Sequence, residues 1–307
     1  MTPLDASTLP LIDVLADLRA QLDRGESILH VLALDPDLGA GRYAGERIVI
    51  AGTPYVHRSL STWVELAARL GLRLAMPVPA DPPRVRLRFE RLGPYAPTRT
   101  GPAGGATEKY GAASDFARRS KLEDPGFVLD LEAALARVEL PRAPRVLDLG
   151  CNTGDELALI LRRAPDAQIT ALDHSPSALA IARQRYAAAM FVEADLATLP
   201  TLALGTFDLV VSIDTLQSPA IEDRVIVRHV VLELLAPTGS LILGFPNGRY
   251  RDGELEYGAR MVNFTEPELG LLVKDVAFYR RYLAQHRRRV FVTGKHEVLL
   301  TAVPIGG

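Results

Sequence analysis

The sequence predicts an α/β fold: a mostly parallel, seven-stranded sheet that ends in an antiparallel hairpin, preceded by a small α+β region. Three observations lead there. From residue 145 onward, short apolar runs alternate with helical patterns at the spacing of parallel β-α-β units. Thr206-Phe-Asp-Leu-Val-Val-Ser-Ile-Asp214 is apolar almost throughout, the mark of a strand covered on both faces. The chain then closes with two extended runs, Arg289–Gly294 and His296–Ala302, a hairpin pattern.

Taken in order, Leu11–Leu22 has helical spacing, and Ser27–Leu34 and Glu46–Ala51 read as strands. Gly52-Thr-Pro is turn chemistry, and Leu60–Leu72 reads as an amphipathic helix with Trp63 inward. Pro82-Pro83 interrupts regular structure. Arg84–Phe89 then alternates, with Val85, Leu87 and Phe89 on one face and Arg84, Arg86 and Arg88 on the other. Such a face can touch phosphates or stand in solvent. The solvated reading is preferred, because residues 1–105 hold 12 arginines against 11 acids. In Gly93–Thr107, seven of fifteen residues are glycine or proline, which predicts a surface linker. The expected organisation is an N-terminal α+β domain at 1–92, a linker at 93–107 and a second domain at 108–307. Lys109–Arg119 and Pro125–Leu140 read as helices leading into that second domain.

The second domain is organised around Val146-Leu-Asp-Leu-Gly-Cys-Asn-Thr-Gly-Asp155. Arg145–Leu149 reads as a buried strand, Gly150–Gly154 as a tight turn, and a helix begins near Glu156. A strand that turns through glycines into a helix presents unpaired N–H groups and a positive dipole end. Gly150 and Gly154 would let a ligand approach the backbone, and Asn152 tolerates positive φ. The turn therefore suits a nucleotide-like ligand. A dinucleotide site needs Gly-x-Gly-x-x-Gly, and Asn152 and Asp155 stand where its second and third glycines belong.

With Asn152 as its one departure, the stretch resembles the first motif of the class I S-adenosylmethionine-dependent methyltransferases, a Rossmann-like family. The resemblance runs from Thr107 to the end and does not reach residues 1–105. It implies S-adenosylmethionine as cofactor, met at the turn by Asp148, Gly150, Cys151, Asn152 and Gly154. Gln168–Asp173 is the second strand, ending in an acid roughly 20 residues past the turn. That places Asp173 on the ribose hydroxyls, with His174 beside it. Capping of the next helix is left to Ser175-Pro176. Met190–Leu196 brings Asp195 for the adenine amino group and Leu196 for the ring, and Ser212 completes the set. Helices ahead of the turn would cover the methionine end, which makes Tyr110 and Arg118 candidates for a lid.

Beyond the fourth strand, Ala220–Leu235 reads as a helix and Gly239–Phe245 as a strand, with Pro237-Thr-Gly239 a tight turn between them. Pro246–Phe264 is a polar, glycine-rich insert holding Asn247, Arg249, Tyr250, Asp252, Glu254, Tyr257 and Arg260. It reads as a substrate-recognition loop, since long loops at strand ends carry function. Thr265-Glu-Pro-Glu268 is a capping box that starts a helix running to Gln285. Between Val276 and His296 lie Arg280, Arg281, Arg287, Arg288, Arg289 and Lys295 and no acid. That segment can grip RNA phosphates or form a solvated helix end.

The sulfonium of the implied cofactor is an activated methyl donor, so the protein's task is in-line placement and exclusion of water. Asp214 is the acid expected nearest the methyl group, with Gln217, Asn247, Tyr250 and Tyr257 as orienting groups. The strand-end sequence Ile213–Pro219 lacks the Asn/Asp-Pro-Pro-aromatic pattern of adenine-N6 enzymes. A small metabolite is preferred as acceptor, because few base-stacking aromatics accompany the basic residues. The alternatives are a tRNA or rRNA methyltransferase using the basic segment, or a non-catalytic nucleic-acid-binding protein. The pair Asp173 and Asp195 argues against the last. A formal net charge of −2 provides no global field toward nucleic acid or membrane. One cysteine allows no internal disulfide, Asp5, Asp13 and Asp17 interrupt any leader-like run, and no apolar stretch reaches ~18 residues. The expected address is the cytoplasm, with neither a membrane nor a metal as partner.

Overall fold

The structure is a computed structural model, and it describes residues 3–92, 111–112, 114, 120–218, 221–251, 254–257, 269–295 and 297–306, with backbone alone at 248–251, 254–257 and 269–271. The chain divides into two compact units, Met1–Ala96 and Pro97–Gly307.

The first unit contains β1 (Leu4–Asp5), α1 (Leu11–Asp23), β2 (Ile28–Leu34), β3 (Arg47–Ile50), β4 (Thr53–Val56), α2 (Leu60–Arg69), β5 (Leu72–Leu74), β6 (Val78–Pro79) and β7 (Arg84–Arg91). Its sheet runs β1-β2-β7-β5, with β6 also paired to β7. The alternation of β7 is realised: Val85, Leu87 and Phe89 join Val14 and Leu18 of α1 and Trp63 and Leu66 of α2 in one core. The opposite face is a solvated one in which the arginines meet acids. Arg84 pairs with Asp5 at 3.0 Å and Asp81 at 3.3 Å, and Arg88 with Glu90 at 2.9 Å. Two local readings are corrected. Ala51 and Gly52, both at positive φ, make the turn. Thr53 and Pro54 instead begin β4, hydrogen-bonded to β3. The α2 helix stops at Arg69, and Gly71 at φ 67° redirects the chain into β5, which the apolar periodicity had run together with the helix.

The second unit contains α3 (Pro125–Leu135), β8 (Arg145–Leu149), α4 (Asp155–Arg163), β9 (Gln168–Asp173), α5 (Pro176–Arg185), β10 (Met190–Glu193), β11 (Phe207–Ile213), α6 (Asp223–His229), β12 (Leu235–Pro246), β13 (Gly248–Arg251), β14 (Glu254–Tyr257), α7 (Leu269–Gln285), β15 (Arg288–Thr293) and β16 (Glu297–Pro304). The seven-stranded order is β10-β9-β8-β11-β12-β16-β15. The pairs from β10 to β12 are parallel and those of the closing hairpin antiparallel. The chain steps outward from β8 to β10 and then returns to β11, so its winding reverses between β8 and β11. Ligands of open α/β sheets bind at that reversal, beyond the carboxyl ends of the strands. Each sheet face has its own core. Leu147, Val210, Leu241 and Leu243 pack with Ile226 of α6 and Tyr279 and Leu283 of α7. On the other face Val146, Leu209, Val211 and Ile242 pack with Phe127 and Leu131 of α3 and Leu157 and Ile160 of α4.

Three further readings are corrected here. The helix expected over Ala220–Leu235 begins at Asp223 and finishes in a wider π turn, Val230–Leu234. Pro237-Thr-Gly239 does not separate helix from strand but lies inside β12 as a bulge, because Phe207 pairs with Leu235 while Leu209 pairs with Ser240. A Cβ at Gly239 would lie 2.7 Å from the Phe207 carbonyl oxygen, so only glycine fits. The insert after β12 is not a plain loop. Residues 248–257 include the antiparallel pair β13–β14, in which Tyr250 stands opposite Leu255 and Tyr257 opposite Gly248. Asp252, Arg260 and the capping box Thr265–Glu268 lie outside the described residues, as do Tyr110, Arg118 and the stretch 93–107.

Leu87 is fully buried against Val31 on the neighbouring strand. Leu87→Ala should lower the unfolding free energy of the first unit by ~2–5 kcal/mol. Denaturant titration followed by the fluorescence of Trp63, the only tryptophan, measures it.

Candidate active site

Three alternate positions at positive φ shape the turn after β8: Gly150 at 79°, Asn152 at 46° and Gly154 at 83°. Their backbone is anchored to β9, since the N–H groups of Gly150 and Cys151 both donate to the Leu172 carbonyl, at 2.7 and 3.1 Å. The Asp173 carboxylate completes the clamp. One oxygen accepts the Asn152 N–H at 2.8 Å and the other the Ser175 N–H at 2.9 Å. Asp173 therefore does hold the entrance of α5, which the sequence had assigned to Ser175 alone. Ser175 caps the same helix through the Ala178 N–H at 3.3 Å. The role of the glycines is also corrected. A Cβ on Gly150 would collide with the Thr215 side chain, and one on Gly154 would lie 2.9 Å from the Tyr186 ring. The space freed by these two glycines is filled by protein side chains.

Acids line the carboxyl edge of the sheet around this turn. Asp148 sits in β8, Asp155 and Glu156 open α4, Asp173 ends β9, Asp214 follows β11 and Glu297 opens β16. One ammonium answers several of them: Lys121 Nζ lies 2.6 Å from Glu156 and 3.3 Å from Asp214. Burial alone would lower the Lys121 pKa, but the carboxylates of Glu156, Asp214 and Glu297 outweigh it and hold the group charged. Asp155 is held by Lys121 N–H at 2.8 Å, Ser120 and Arg185. Asp148 is 1% exposed, and its Oδ2 has no hydrogen-bond partner among the described residues. Burial first, then the negative charge of Glu156, push its carboxyl well above the usual range. Lys121 pulls the other way, and Asp173 adds to the rise.

The remaining predicted residues fall as follows. Cys151 is fully buried, and burial together with Asp148 and Asp173 raises its thiol, so it is an inert wall of the turn. His174 is exposed, with Nδ1 3.8 Å from Asp173. The Asp195 side chain accepts the Ala197 N–H at 2.8 Å, capping the short helix Leu196–Thr201, and Leu196 is buried in the core. The buried Ser212 hydroxyl donates to the Leu149 carbonyl at 3.2 Å, tying β11 to β8. Asp214 takes φ 58°, a left-handed backbone that turns it out of β11. Gln217 is half-buried nearby in sequence. Asn247 is 5% exposed, and its amide donates to the Lys295 carbonyl at 3.1 Å. Tyr250 and Tyr257 are placed by backbone alone. Sequence reasoning missed Lys121, Glu156, Thr215 and Glu297. One signal was available for Lys121, which is one of four lysines among 35 basic residues. Where arginine is the default cation, a compact ammonium is a specific choice.

Residues 146–239 match a family model described as a methyltransferase domain. The chain is 37% identical over 115 residues to the trans-aconitate 2-methyltransferase of Variovorax paradoxus (strain S110), covering 38% of this chain and 43% of that protein. It is 34% identical over 149 residues to the enzyme of that name from Escherichia coli O1:K1 / APEC, covering 48% of this chain and 51% of the other. The chain thus spans about half the length of the curated relatives it matches. A solved methyltransferase of Aquifex aeolicus, described as SAM dependent, aligns over 62% of this chain and 99% of its own, with a TM-score of 0.45 and 16% identity.

Two outcomes follow from the turn and its acids. Gly150→Ala should cost at least ~1–2 kcal/mol for the left-handed backbone alone, with the Thr215 collision added; thermal unfolding measures it. Neutral Asp148 contributes stability that is complete below pH ~4 and lost as pH rises through its elevated folded value. Asparagine cannot ionise, so the melting-temperature advantage of Asp148→Asn over the native chain should widen from pH ~4 to ~8.

Proposed function

We propose that this chain, whose residues 146–239 form a class I S-adenosylmethionine-dependent methyltransferase domain, transfers a methyl group to a small metabolite. The observation that carries the reading is the sign of the charge around the glycine turn. Asp155, Glu156 and Asp173 surround it, so a phosphate ligand would meet like charge. S-adenosylmethionine carries a sulfonium and an ammonium, and its adenosine has hydroxyls that donate to carboxylates. The residues present therefore fit that cofactor better than a dinucleotide. Asp173 would accept from the ribose hydroxyls, using lone pairs left over from its two backbone contacts. Asp195, exposed at the end of β10, would receive the adenine amino group. Asn152 and Gly154 set the backbone of the cradle.

When bound, the cofactor supplies a methyl group already activated on sulfur. The chain's own residues hold the acceptor in line and keep water out. Asp214 stands at the sheet reversal beside the turn, where an acceptor atom must lie to reach the methyl group. The matched relatives are named for a small organic acid, which favours a metabolite over a macromolecule. An RNA acceptor loses support, since buried Arg288 of the basic segment donates inward to the carbonyls of Pro237 and Ala236, at 2.8 and 3.1 Å.

Calorimetry with S-adenosylmethionine and, separately, NAD should give binding for the first only. Asp173→Ala should weaken S-adenosylmethionine binding at least tenfold, or about 1.4 kcal/mol. Unchanged affinity in that variant would overturn the assignment.

A further inference from the structure

The acids along the sheet edge divide at the reversal between β8 and β11. Asp173 and Asp148 lie on the side of the glycine turn. Asp214, Asn247 and Glu297 lie on the other side, at the ends of the neighbouring strands β11, β12 and β16. The strands that carry this second group are tied side by side: Asp214 N–H donates to the Gly244 carbonyl of β12 at 3.1 Å, and Pro246 of β12 pairs with Glu297. This second group offers acceptors. Asp214 Oδ1 and Asn247 Oδ1 are both shut off from solvent, and neither has a hydrogen-bond partner among the described residues. Asn247 is 5% exposed and its amide nitrogen is already engaged by Lys295 O, so its oxygen is held in place as an orphan acceptor. Buried polar atoms without partners are rare and point to an absent donor.

The charge points the same way. Asp148, Glu156, Asp214 and Glu297 all act on or around the one ammonium of Lys121. The cofactor brings two positive groups and one carboxylate, a single net positive charge, and the Asp214 carboxylate has only a shared ammonium, since Lys121 also pairs with Glu156. Among the described residues these acids are not grouped at metal-ligand spacing.

We infer that the methyl acceptor is an amine that enters as its ammonium ion, with its N–H groups directed to Asp214 Oδ1 and Asn247 Oδ1. The inference rests on the methyltransferase reading above and narrows its substrate class. It separates this chain from the matched relatives, whose named substrate is a tricarboxylate that would meet like charge here. In the transfer, the ammonium first yields one proton to the Asp214 carboxylate. The freed nitrogen lone pair then forms the N–C bond as the C–S bond breaks, and the bonding pair stays on sulfur as S-adenosylhomocysteine. The product amine carries the charge that the sulfonium lost. Asp214 returns its proton to water.

The test uses the full chain with radiolabelled S-adenosylmethionine, after calorimetry has established that the donor binds. One panel holds metabolite-sized primary and secondary amines, the other di- and tricarboxylates including trans-aconitate. Label on nitrogen in the amine panel is the expected result. For a methylated amine, Asp214→Asn should lower kcat/KM at least tenfold while affinity for the donor stays within twofold. Label in the carboxylate panel, or in neither panel, overturns the amine assignment and leaves the methyltransferase reading standing. Failure of the donor to bind removes that reading, and the inference falls with it.

Discussion

A single buried ammonium makes this sheet edge possible. Glu156 and Asp214 come from different elements, a helix start and a strand end, and Lys121 joins both from the segment ahead of α3. Carboxylates this buried need a compensating charge, because an uncompensated one in a dry site is expensive. Lys121 supplies it to both. The same ammonium restrains the upward push on the Asp148 carboxyl. Lys121 also lies 5.4 Å from the centre of the Phe127 ring, so its position is fixed by α3 as well as by charge.

Asp173 performs the second structural task at the edge. By accepting one N–H from the glycine turn and one from the start of α5, it locks two connections to the end of β9. A carboxylate in that position shapes the cradle before any ligand arrives. Its oxygens stay oriented, which is what preorganised recognition of hydroxyls requires. The functional reading and the structural one thus meet in a single side chain.

The fold follows from patterns that are local. Val85, Leu87 and Phe89 alternate because a strand has period two. The apolar run of β11 reads as buried on both faces because a parallel sheet is covered on both. Strand–turn–helix at residues 145–163 is written in the spacing of its glycines and apolar residues. The misreadings fall where a local pattern is ambiguous. Apolar spacing runs from α2 into β5 without a break, and Pro237-Thr-Gly239 has turn chemistry whether it ends a strand or bulges within one. The insert after β12 looked like loop because glycines and charges weaken its strand signal, and only pairing across residues 248–257 makes it a hairpin.

By itself the sequence determined the α/β class, the seven strands of the second unit's large sheet, the glycine turn and the acid at the end of β9. Each depends on residues close together along the chain, where backbone geometry and hydrophobic period leave few choices. Tertiary structure alone decided what those residues face. Thr215 and Tyr186 fill the space beside the two glycines, and Lys121 reaches Glu156 and Asp214 across 35 and 93 positions. Charge pairing over such separations leaves no period in the sequence, because it is set by the order in which strands are laid side by side.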